Sequence, residues 1–342
     1  MKLIKKLATL FVLVIVLFSC NNNAVEPEPN YEPGRRDYTW TADTIKAYYI
    51  YFNSIWGKTA NDVWAVSSVG SVFENIYRYD GTKWYRETRT PIGNTASLWG
   101  TDNNLWICCQ DGRIWNYKND LFSSSTQFKY EDKEILFFSL AGKSEHEIYA
   151  VGGKKILNNR DGLIYKYNGV NWQFDKVMKN RGNITKIRYS YRNNTYYFLS
   201  DLDNATTTDT IRLTEYNGIN IKMIFEEALT GENSCTMNDV DGLLYVTIGR
   251  KIYRYVNDKF NDFLEINLPN FGGQIWGRTK NDFFIRMQDG LLHYNGTDLQ
   301  YILKFHKNTT FGTSALVLEK DIFLHAFNNK TGYNIIYHGK LK

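Results

Sequence analysis

Residues 54–84 contain the succession Ser54-Ile55-Trp56-Gly57, Asn61-Asp62-Val63-Trp64-Ala65-Val66 and Ile76-Tyr77-Arg78-Tyr79-Asp80-Gly81, and they close with Trp84. These short runs are rich in β-branched and aromatic residues and are bounded by Gly, Asn and Asp, which is typical of strands joined by hairpin turns. Asp-Gly pairs also tolerate the positive φ angles of a tight turn. The stretch therefore predicts one unit of four short antiparallel strands.

The same succession recurs along the chain. It returns, for example, as Ser97-Leu98-Trp99-Gly100 followed by Ile114-Trp115-Asn116-Tyr117. Aligned on the tyrosine before the turn, the copies place Tyr79, Tyr117, Tyr167, Tyr216, Tyr255, Tyr294 and Tyr337. Their spacing is roughly 40 to 50 residues, the period of propeller blades. Because a blade hides its apolar faces only against its neighbours, we predict an all-β chain that forms a seven-bladed β-propeller of four-stranded antiparallel blades.

The two ends of the repeat region suggest how the ring closes. The last unit ends at Lys342, soon after its third strand, while an additional β-like segment at residues 44–52 precedes the first unit. We predict that this N-terminal strand completes the last blade. Residues 223–229 are expected to form a short turn of helix in a connection.

The first twenty residues have the features of an export signal. Lys2, Lys5 and Lys6 precede an apolar run at residues 7–18, a length usual for a signal peptide and short for a transmembrane helix. The sequence Leu17-Phe18-Ser19-Cys20 resembles the bacterial lipobox, which implies cleavage before Cys20 and attachment of diacylglycerol and palmitate there. The alternatives are an ordinary secretory signal and an uncleaved anchor. We predict a signal peptide at 1–19, a lipidated flexible tether at 20–37 and a propeller at 38–342.

The segment after Cys20 predicts a location. Residues 21–34 are polar and hold three of the chain's five prolines, so they should form an extended tether. Asn21 stands where Asp commonly retains Gram-negative lipoproteins in the inner membrane. We therefore expect lipid anchoring in the outer membrane, facing either the periplasm or the cell surface, and tethers of this kind are familiar in Bacteroidetes surface lipoproteins.

The charge of the chain excludes one class of partner, and its cysteines leave the question of a disulfide open. Removal of the signal lowers the net charge from +5 to +2, and the chain has no Lys/Arg-rich run, so no nucleic-acid partner is expected. In a strand, Cys108 and Cys109 would point to opposite faces, so at most one would face the packed side of a blade. A disulfide between Cys235 and either of them is left open.

The sequence lacks the spacing of known catalytic and metal sites. The five histidines, His146, His293, His306, His325 and His338, are scattered and do not have zinc-site spacing; His293 and His338 are expected at exposed strand ends. The pairs Glu226-Glu227 and Glu145/Glu147 are interpreted as solvated loop charges rather than the acid and base of a glycosidase. We predict no catalytic residue, metal or cofactor.

Aromatic residues fall into two groups. Recurrence at one blade position argues for structural packing, and it is seen for Trp56, Trp64, Trp99, Trp106 and Trp276. Aromatic residues that depart from the repeat are candidates for a binding rim, and these are Tyr189, Tyr191, Tyr301 and Phe311.

Over most of residues 45–342, the Trp-Gly, Val-Trp-Ala-Val and Ile-Tyr-x-Tyr-Asp-Gly pattern resembles bacterial extracytoplasmic propellers, including the sensor propellers of Bacteroidetes two-component regulators. It is also similar in rhythm to tectonin lectins. Such motifs specify blade construction and not an activity. We predict an outer-membrane lipoprotein whose propeller is a non-catalytic binding or scaffolding module for a glycan, a peptide or an envelope protein. The alternative is an extracytoplasmic glycan hydrolase or lyase with its site in the propeller funnel.

Overall fold

Every regular element in the described part of the chain is a β-strand. The computed structural model describes residues 29–47, 50–68, 74–88, 90–156, 158–202, 210–228 and 235–342. Residues 33–342 form one compact unit, to which all the strands belong. Cys20 and the predicted signal peptide lie outside the described residues. Among the described residues, no helix is long and apolar enough to cross a membrane.

The strands follow one another in the order of the predicted repeats. In chain order they are β1 (Tyr38–Ile45), β2 (Phe52–Thr59), β3 (Asp62–Ser67), β4 (Ile76–Tyr79), β5 (Trp84–Arg86), β6 (Thr95–Gly100), β7 (Leu105–Cys109), β8 (Ile114–Lys118), β9 (Leu121–Ser124), β10 (Lys129–Tyr130), β11 (Lys133–Ser144), β12 (Glu147–Lys154), β13 (Gly162–Tyr167), β14 (Trp172–Met178), β15 (Asn183–Ser190), β16 (Thr195–Leu202), β17 (Thr210–Tyr216), β18 (Ile221–Ala228), β19 (Cys235–Val240), β20 (Leu243–Ile248), β21 (Lys251–Val256), β22 (Lys259–Glu265), β23 (Phe271–Thr279), β24 (Asp282–Met287), β25 (Gly290–Tyr294), β26 (Leu299–Lys304), β27 (Thr309–Val317), β28 (Asp321–Asn328) and β29 (Tyr333–Leu341).

These strands form seven antiparallel sheets, which confirm the predicted seven-bladed β-propeller. Blades 1 and 2 are β2–β5 and β6–β9, blade 3 is β11–β14 with the short β10 beside β11, and blades 4, 5 and 6 are β15–β18, β19–β22 and β23–β26. Blade 7 contains β27, β28, β29 and β1. The first strands of consecutive blades contact one another around a central channel, and β27 contacts β2, so the ring is closed.

An apolar cluster lies at every boundary between two blades. Val66 of blade 1 packs with Ile107 of blade 2, for example, and Phe323 of blade 7 packs with Phe52 of blade 1. Seven such clusters occur among the described residues, one for each boundary. Each middle strand therefore buries both of its faces, and burial of large apolar side chains against the neighbouring blades stabilises the ring.

The N-terminal strand closes blade 7 as predicted, but it lies earlier in the chain than residues 44–52. β1 is Tyr38–Ile45 and pairs along its whole length with β29, whereas Phe52 begins the first strand of blade 1. Trp40 pairs with Gly339, as Trp84 pairs with Tyr79 in blade 1. β1 contains mainly exposed and half-buried residues because it is an outer strand. Its polar Thr and Asp residues give it a weaker strand pattern than the more apolar segment that follows, and so the prediction chose that segment.

Six of the seven aligned tyrosines occupy equivalent places, while Tyr337 does not. Tyr79 pairs with Val63 at the place where blade 7 pairs Gly339 with Ile322, so Tyr337 stands two residues too early. A Cβ at Gly339 would lie 2.7 Å from the Trp40 ring. The glycine therefore makes room for the ring that closes the propeller.

Two further expectations about local structure were wrong. Cys108 and Cys109 are both fully buried, because one packs toward blade 3 and the other toward blade 1; a middle strand has two packed sides. Both are free, as is the half-buried Cys235. Met223 and its neighbours belong to strand β18 and not to a helical turn; pairing with β17 overrides their helical propensity.

Candidate functional site in the central channel

The side chains that line the channel come from the first strand of each blade. Six of these seven strands have an irregularity near the same place in their pairing with the second strand. A β-bulge re-aims side chains and is frequent next to functional sites. Here it brings Asn53, Thr185 and Gln274 to the surface of two cavities of about 380 and 250 Å³. Residues of blades 1 and 4 line both cavities.

One place on each first strand, here named the channel position, is occupied mainly by small hydroxyl residues. It lies two residues before the residue that pairs with the buried aromatic side chain of the second strand. From blade 1 to blade 7 its residues are Ser54, Ser97, Ser139, Lys186, Thr236, Gln274 and Ser314. Lys186 is therefore a departure from the repeat, and blade 4 alone has a charge at this position.

The residue opposite the aromatic side chain is here named the packing position. From blade 1 to blade 7 its residues are Trp56, Trp99, Ala141, Arg188, Asn238, Trp276 and Leu316. Trp56 and Trp99 lie against Gly100 and Gly142 of the following blade, where a Cβ would come within 2.8 and 2.7 Å of their rings. Blade 4 has Arg188 instead, and the residue that corresponds to Gly100 in blade 5 is Asp239.

One polar wall, here named the basic wall, is formed by Lys186 and Arg188 of blade 4 with Thr236 and Asn238 of blade 5. Lys186 donates from Nζ to Thr236 Oγ1 at 3.2 Å. Arg188 donates from Nε to Asn238 Oδ1 at 2.7 Å and from a terminal nitrogen to the Ile187 carbonyl at 2.8 Å. Among the described residues that line the two cavities, none is Asp or Glu. The wall therefore presents two cations that are hydrogen-bonded to neutral groups.

Burial destabilises the charges of the basic wall. It lowers the pKa of Lys186 to about 7, with a further contribution from the positive charge of Arg188. It also lowers the pKa of Arg188 to about 10, against the attraction of Asp239. Burial raises the pKa of Asp239 to about 7, although Arg188 opposes this shift. Strongly shifted groups that share a cleft mark a candidate functional site, and an anion between the two cations would relieve their desolvation.

Of the aromatic residues proposed for a rim, only Tyr189 borders the channel cavities described here. Its hydroxyl donates to Asn194 Oδ1 at 2.9 Å. Tyr191 is 58% exposed and donates to Asp241. Tyr301 lies on the outer strand of blade 6 and donates to Asp289. Phe311 is buried and stacks on Trp276 with ring centres 5.7 Å apart. The group thus does not form one site.

The tryptophans pack the blades, but at two positions and not one. Trp56 and Trp99 are on first strands, and they pair directly with Trp64 and Trp106 on second strands. Trp64 and Trp106 are buried. Trp276 occupies the first-strand position in blade 6, where it pairs with Phe284.

The expectation of exposed strand-end histidines was wrong. His293 is fully buried, with Nε2 2.8 Å from Asp282 Oδ1, and Arg36 donates to its Nδ1 at 3.1 Å. His338 is half-buried and lies 2.7 Å from Asp321 Oδ1. Both histidines face an aromatic residue of the second strand, and so they hold equivalent structural places.

Three of the four glutamates interpreted as loop charges belong to strands, and these are Glu226 and Glu227 of β18 and Glu147 of β12. Glu226 lies in β18 and accepts from Arg212 Nε at 2.7 Å. Glu147 begins β12 and lies 3.5 Å from Lys166 Nζ. Among the described residues, no group of three His, Cys, Asp or Glu side chains is arranged to hold a metal ion.

Lys186, Arg188 and Asp239 were missed because they lie in eroded copies of the repeat. Ile187-Arg188-Tyr189 and Asn238-Asp239-Val240 lack the Trp-Gly pair of the clearer copies, and alignment on the tyrosine before the turn does not fix the register of their first strands. A charged residue at an aligned packing position would have been the signal. It could be seen only after the register of blades 4 and 5 was known.

No protein-family model matches the chain, and no curated protein matches it in sequence. Similar solved structures include YCF48 bound to D1 peptide, with a TM-score of 0.63, 15% identity and coverage of 92% of this chain and 99% of that chain. A catalytically inactive virginiamycin B lyase from Staphylococcus aureus with quinupristin has a TM-score of 0.64 and 12% identity, covering 89% and 100%. The extracellular domain of BT4673 from B. thetaiotaomicron has a TM-score of 0.55 and 16% identity, covering 89% of this chain and 43% of that chain. At these identities, the likenesses show a shared propeller fold.

Proposed function

We propose that the protein is a lipid-anchored, non-catalytic binding module whose channel takes an acidic segment of an envelope protein on the basic wall. The observation that carries this proposal is the pair Lys186 and Arg188, which replaces a small hydroxyl residue and an apolar packing residue of other blades. Propellers of this fold include one bound to a peptide, YCF48 with the D1 peptide. Carboxylates suit the wall because charge-assisted hydrogen bonds to Lys and Arg are strong.

The binding part of the proposal is tested with a labelled tetraglutamate peptide and its tetraglutamine counterpart. We expect fluorescence anisotropy to show binding of the acidic peptide alone, and at least tenfold weaker binding to Lys186→Met and Arg188→Met. Ser54→Ala and Ser97→Ala, which change the opposite wall, should leave the affinity within about twofold. Equal binding of both peptides, or no effect of the basic-wall variants, would contradict this function.

The anchoring part is tested separately. Cys20→Ala should abolish incorporation of labelled palmitate and release the chain from the outer-membrane fraction, while Cys109→Ser should retain both properties. Wild-type chain without lipid, or lipidated chain found only in inner membranes, would contradict the anchoring proposal and leave the channel proposal to its own test.

A second candidate is a glycan lyase or hydrolase in the same channel. The observation that favours it is that Lys186, which lines both cavities, has a pKa of about 7, a value suited to general base or acid catalysis near neutral pH. Turnover of a polysaccharide by the wild type, abolished in Lys186→Met and retained in Lys118→Met, would establish this activity in place of the binding function.

A further inference from the structure

An open cleft lies between blades 2 and 3, away from the basic wall. Its volume is about 350 Å³, and its lining includes Trp106, Asn116, Tyr167 and Trp172. Trp106 is almost fully buried and forms the floor. Tyr167 and Trp172 are half-buried, with ring centres 5.4 Å apart. Among the described residues that line the cleft, none carries a charge.

At the boundary of blades 1 and 2, the chain itself fills the equivalent place with a cation. Arg78 pairs with Trp64, and its guanidinium carbon lies 4.8 Å from the centre of the Trp64 ring and 5.9 Å from that of Tyr117. Arg78 also donates to Asp62 Oδ1 at 2.8 Å and to the Tyr117 hydroxyl at 3.2 Å. An aromatic floor, an aromatic wall and an acid therefore hold this guanidinium.

Other boundaries repeat this arrangement with different side chains. Lys166 pairs with Tyr149 of blade 3, and its ammonium lies 5.2 Å from that ring centre. His338 pairs with Phe323 of blade 7 and stacks on it with ring centres 4.1 Å apart. The place above the second-strand aromatic residue is thus one where this fold accommodates cations and imidazoles.

Blade 2 retains the aromatic residues but lacks the cation. Trp106 pairs with Asn116, and Tyr167 and Trp172 stand where Tyr117 and Phe122 stand at the preceding boundary. The Asn116 amide donates back to the Leu105 carbonyl at 3.2 Å. Asn104 replaces the acid and donates to Glu145 at 2.7 Å. A side chain as short as Asn116 leaves open the space that Arg78 fills between blades 1 and 2.

We propose that this cleft binds a cationic group, a substituted ammonium, over Trp106 and beside the packed rings of Tyr167 and Trp172. The negative face of an aromatic ring attracts a cation that it desolvates, and clusters of aromatic rings recognise quaternary ammonium groups in this way. The cleft also has the size and the mixed aromatic and amide lining of a small-molecule site. A neutral sugar would need the same rings and amides, and so the charge of the ligand is the quantity to test.

The test compares choline with its neutral isostere 3,3-dimethylbutan-1-ol on the whole chain by titration calorimetry. We expect choline to bind about tenfold more tightly, and Trp172→Ala to weaken choline binding by about tenfold or more. Equal affinities for the two compounds would contradict a cation site. Binding of methyl glucoside with the same loss in Trp172→Ala would replace it with a sugar site.

A filling variant makes the same test without removing an aromatic ring. Asn116→Arg alone places a guanidinium over Trp106, as Arg78 lies over Trp64, and we expect it to abolish choline binding. Asn104 is kept because it donates to Glu145, and circular dichroism checks that the variant is folded. Choline binding that persists in this folded variant would contradict the assigned place. Lys330→Met serves as the control, since this exposed lysine lies in the turn between β28 and β29 of blade 7 and its loss should not alter affinity in the cleft.

Discussion

The two sides of the channel use the same backbone positions in different ways. On blades 1 and 2, Trp56 and Trp99 lie against glycines of the following blade. On blade 4, the same position holds Arg188, and burial lowers its pKa to about 10. The first side gains apolar packing, whereas the second retains desolvated charges that packing does not require. In a repeat protein, residues that recur therefore maintain the ring, and residues that depart from the repeat at an inward position are the candidates for binding.

The largest effect is expected when the ring itself is opened, which would affect both sides of the channel. Deletion of residues 38–45 removes the strand that pairs with β29 and the Trp40 ring over Gly339. We expect no cooperative thermal unfolding transition, or a transition at least 15 °C lower, by circular dichroism. Deletion of residues 21–30 is the control and should leave the transition unchanged. Normal melting without β1 would contradict closure by this strand.

The packed side is tested by adding one carbon atom. In Gly142→Ala, the new Cβ would lie 2.7 to 2.9 Å from atoms of the Trp99 ring, and we expect a loss of about 1–3 kcal/mol in the free energy of unfolding, because the ring must move. Denaturant titration measures this loss. The double variant Gly142→Ala with Trp99→Leu should lose less free energy of unfolding than the sum of the losses in the two single variants. Additive effects would show that the two residues are not coupled.

The fold was largely predictable because packing repeats. Each blade needs a buried aromatic residue on its second strand and an aromatic or branched residue on its outer strand. Copies such as residues 54–84 can therefore be recognised in the sequence. The errors fell where tertiary pairing overrides local pattern. β1 is half-exposed and polar, yet it closes blade 7, and Gly339 takes the tyrosine's place because Trp40 occupies the space.

The site was much less predictable. His293 and His338 looked like exposed turn residues, but the second strand buries them beside Asp282 and Asp321. Lys186 is an ordinary lysine in sequence. Its significance depends on its alignment with Ser54 and its equivalents, and the bulge of β15 that sets this alignment is not visible from the residues. The repeat in the sequence thus predicts the architecture of the blades well, but it does not predict the residues that depart from the repeat.

The basic wall is tested by removing the charge of Lys186, which burial destabilises. The pKa of Lys186 in the folded chain, about 7, is below the ordinary value of 10.5, so protonated Lys186 destabilises the fold at all pH values below 7, and this penalty fades as the pH rises toward 10. We expect Lys186→Met to raise the melting temperature by about 2–4 °C at pH 6 and by less at pH 9. Lys118→Met, at an exposed site, should leave the melting temperature unchanged at both pH values. A lower melting temperature in Lys186→Met would show that the cation stabilises the channel.

The smallest effect is expected in the pH dependence of binding to the basic wall. An anion beside Lys186 favours its charged form, so the pKa of this group must be higher in the complex than its free value of about 7. Tetraglutamate affinity should be nearly constant below pH 6 and should begin to fall as Lys186 loses its proton near pH 7. Above pH 7 it should fall by up to tenfold per pH unit until the pKa of the complex is reached. Asp239, whose pKa is also about 7, acts in the same direction as it ionises near Arg188, while Cys235, with a pKa of about 12, stays neutral over this range.

Two variants separate these contributions. Lys186→Arg keeps its charge to high pH, so its affinity above pH 7 should retain only the decline caused by Asp239, and Lys186→Arg with Asp239→Asn should bind equally from pH 6 to 9. Anisotropy titrations at each pH measure both. If the double variant still loses affinity above pH 7, a group outside the basic wall controls binding, and the difference between the two sides of the channel does not explain recognition.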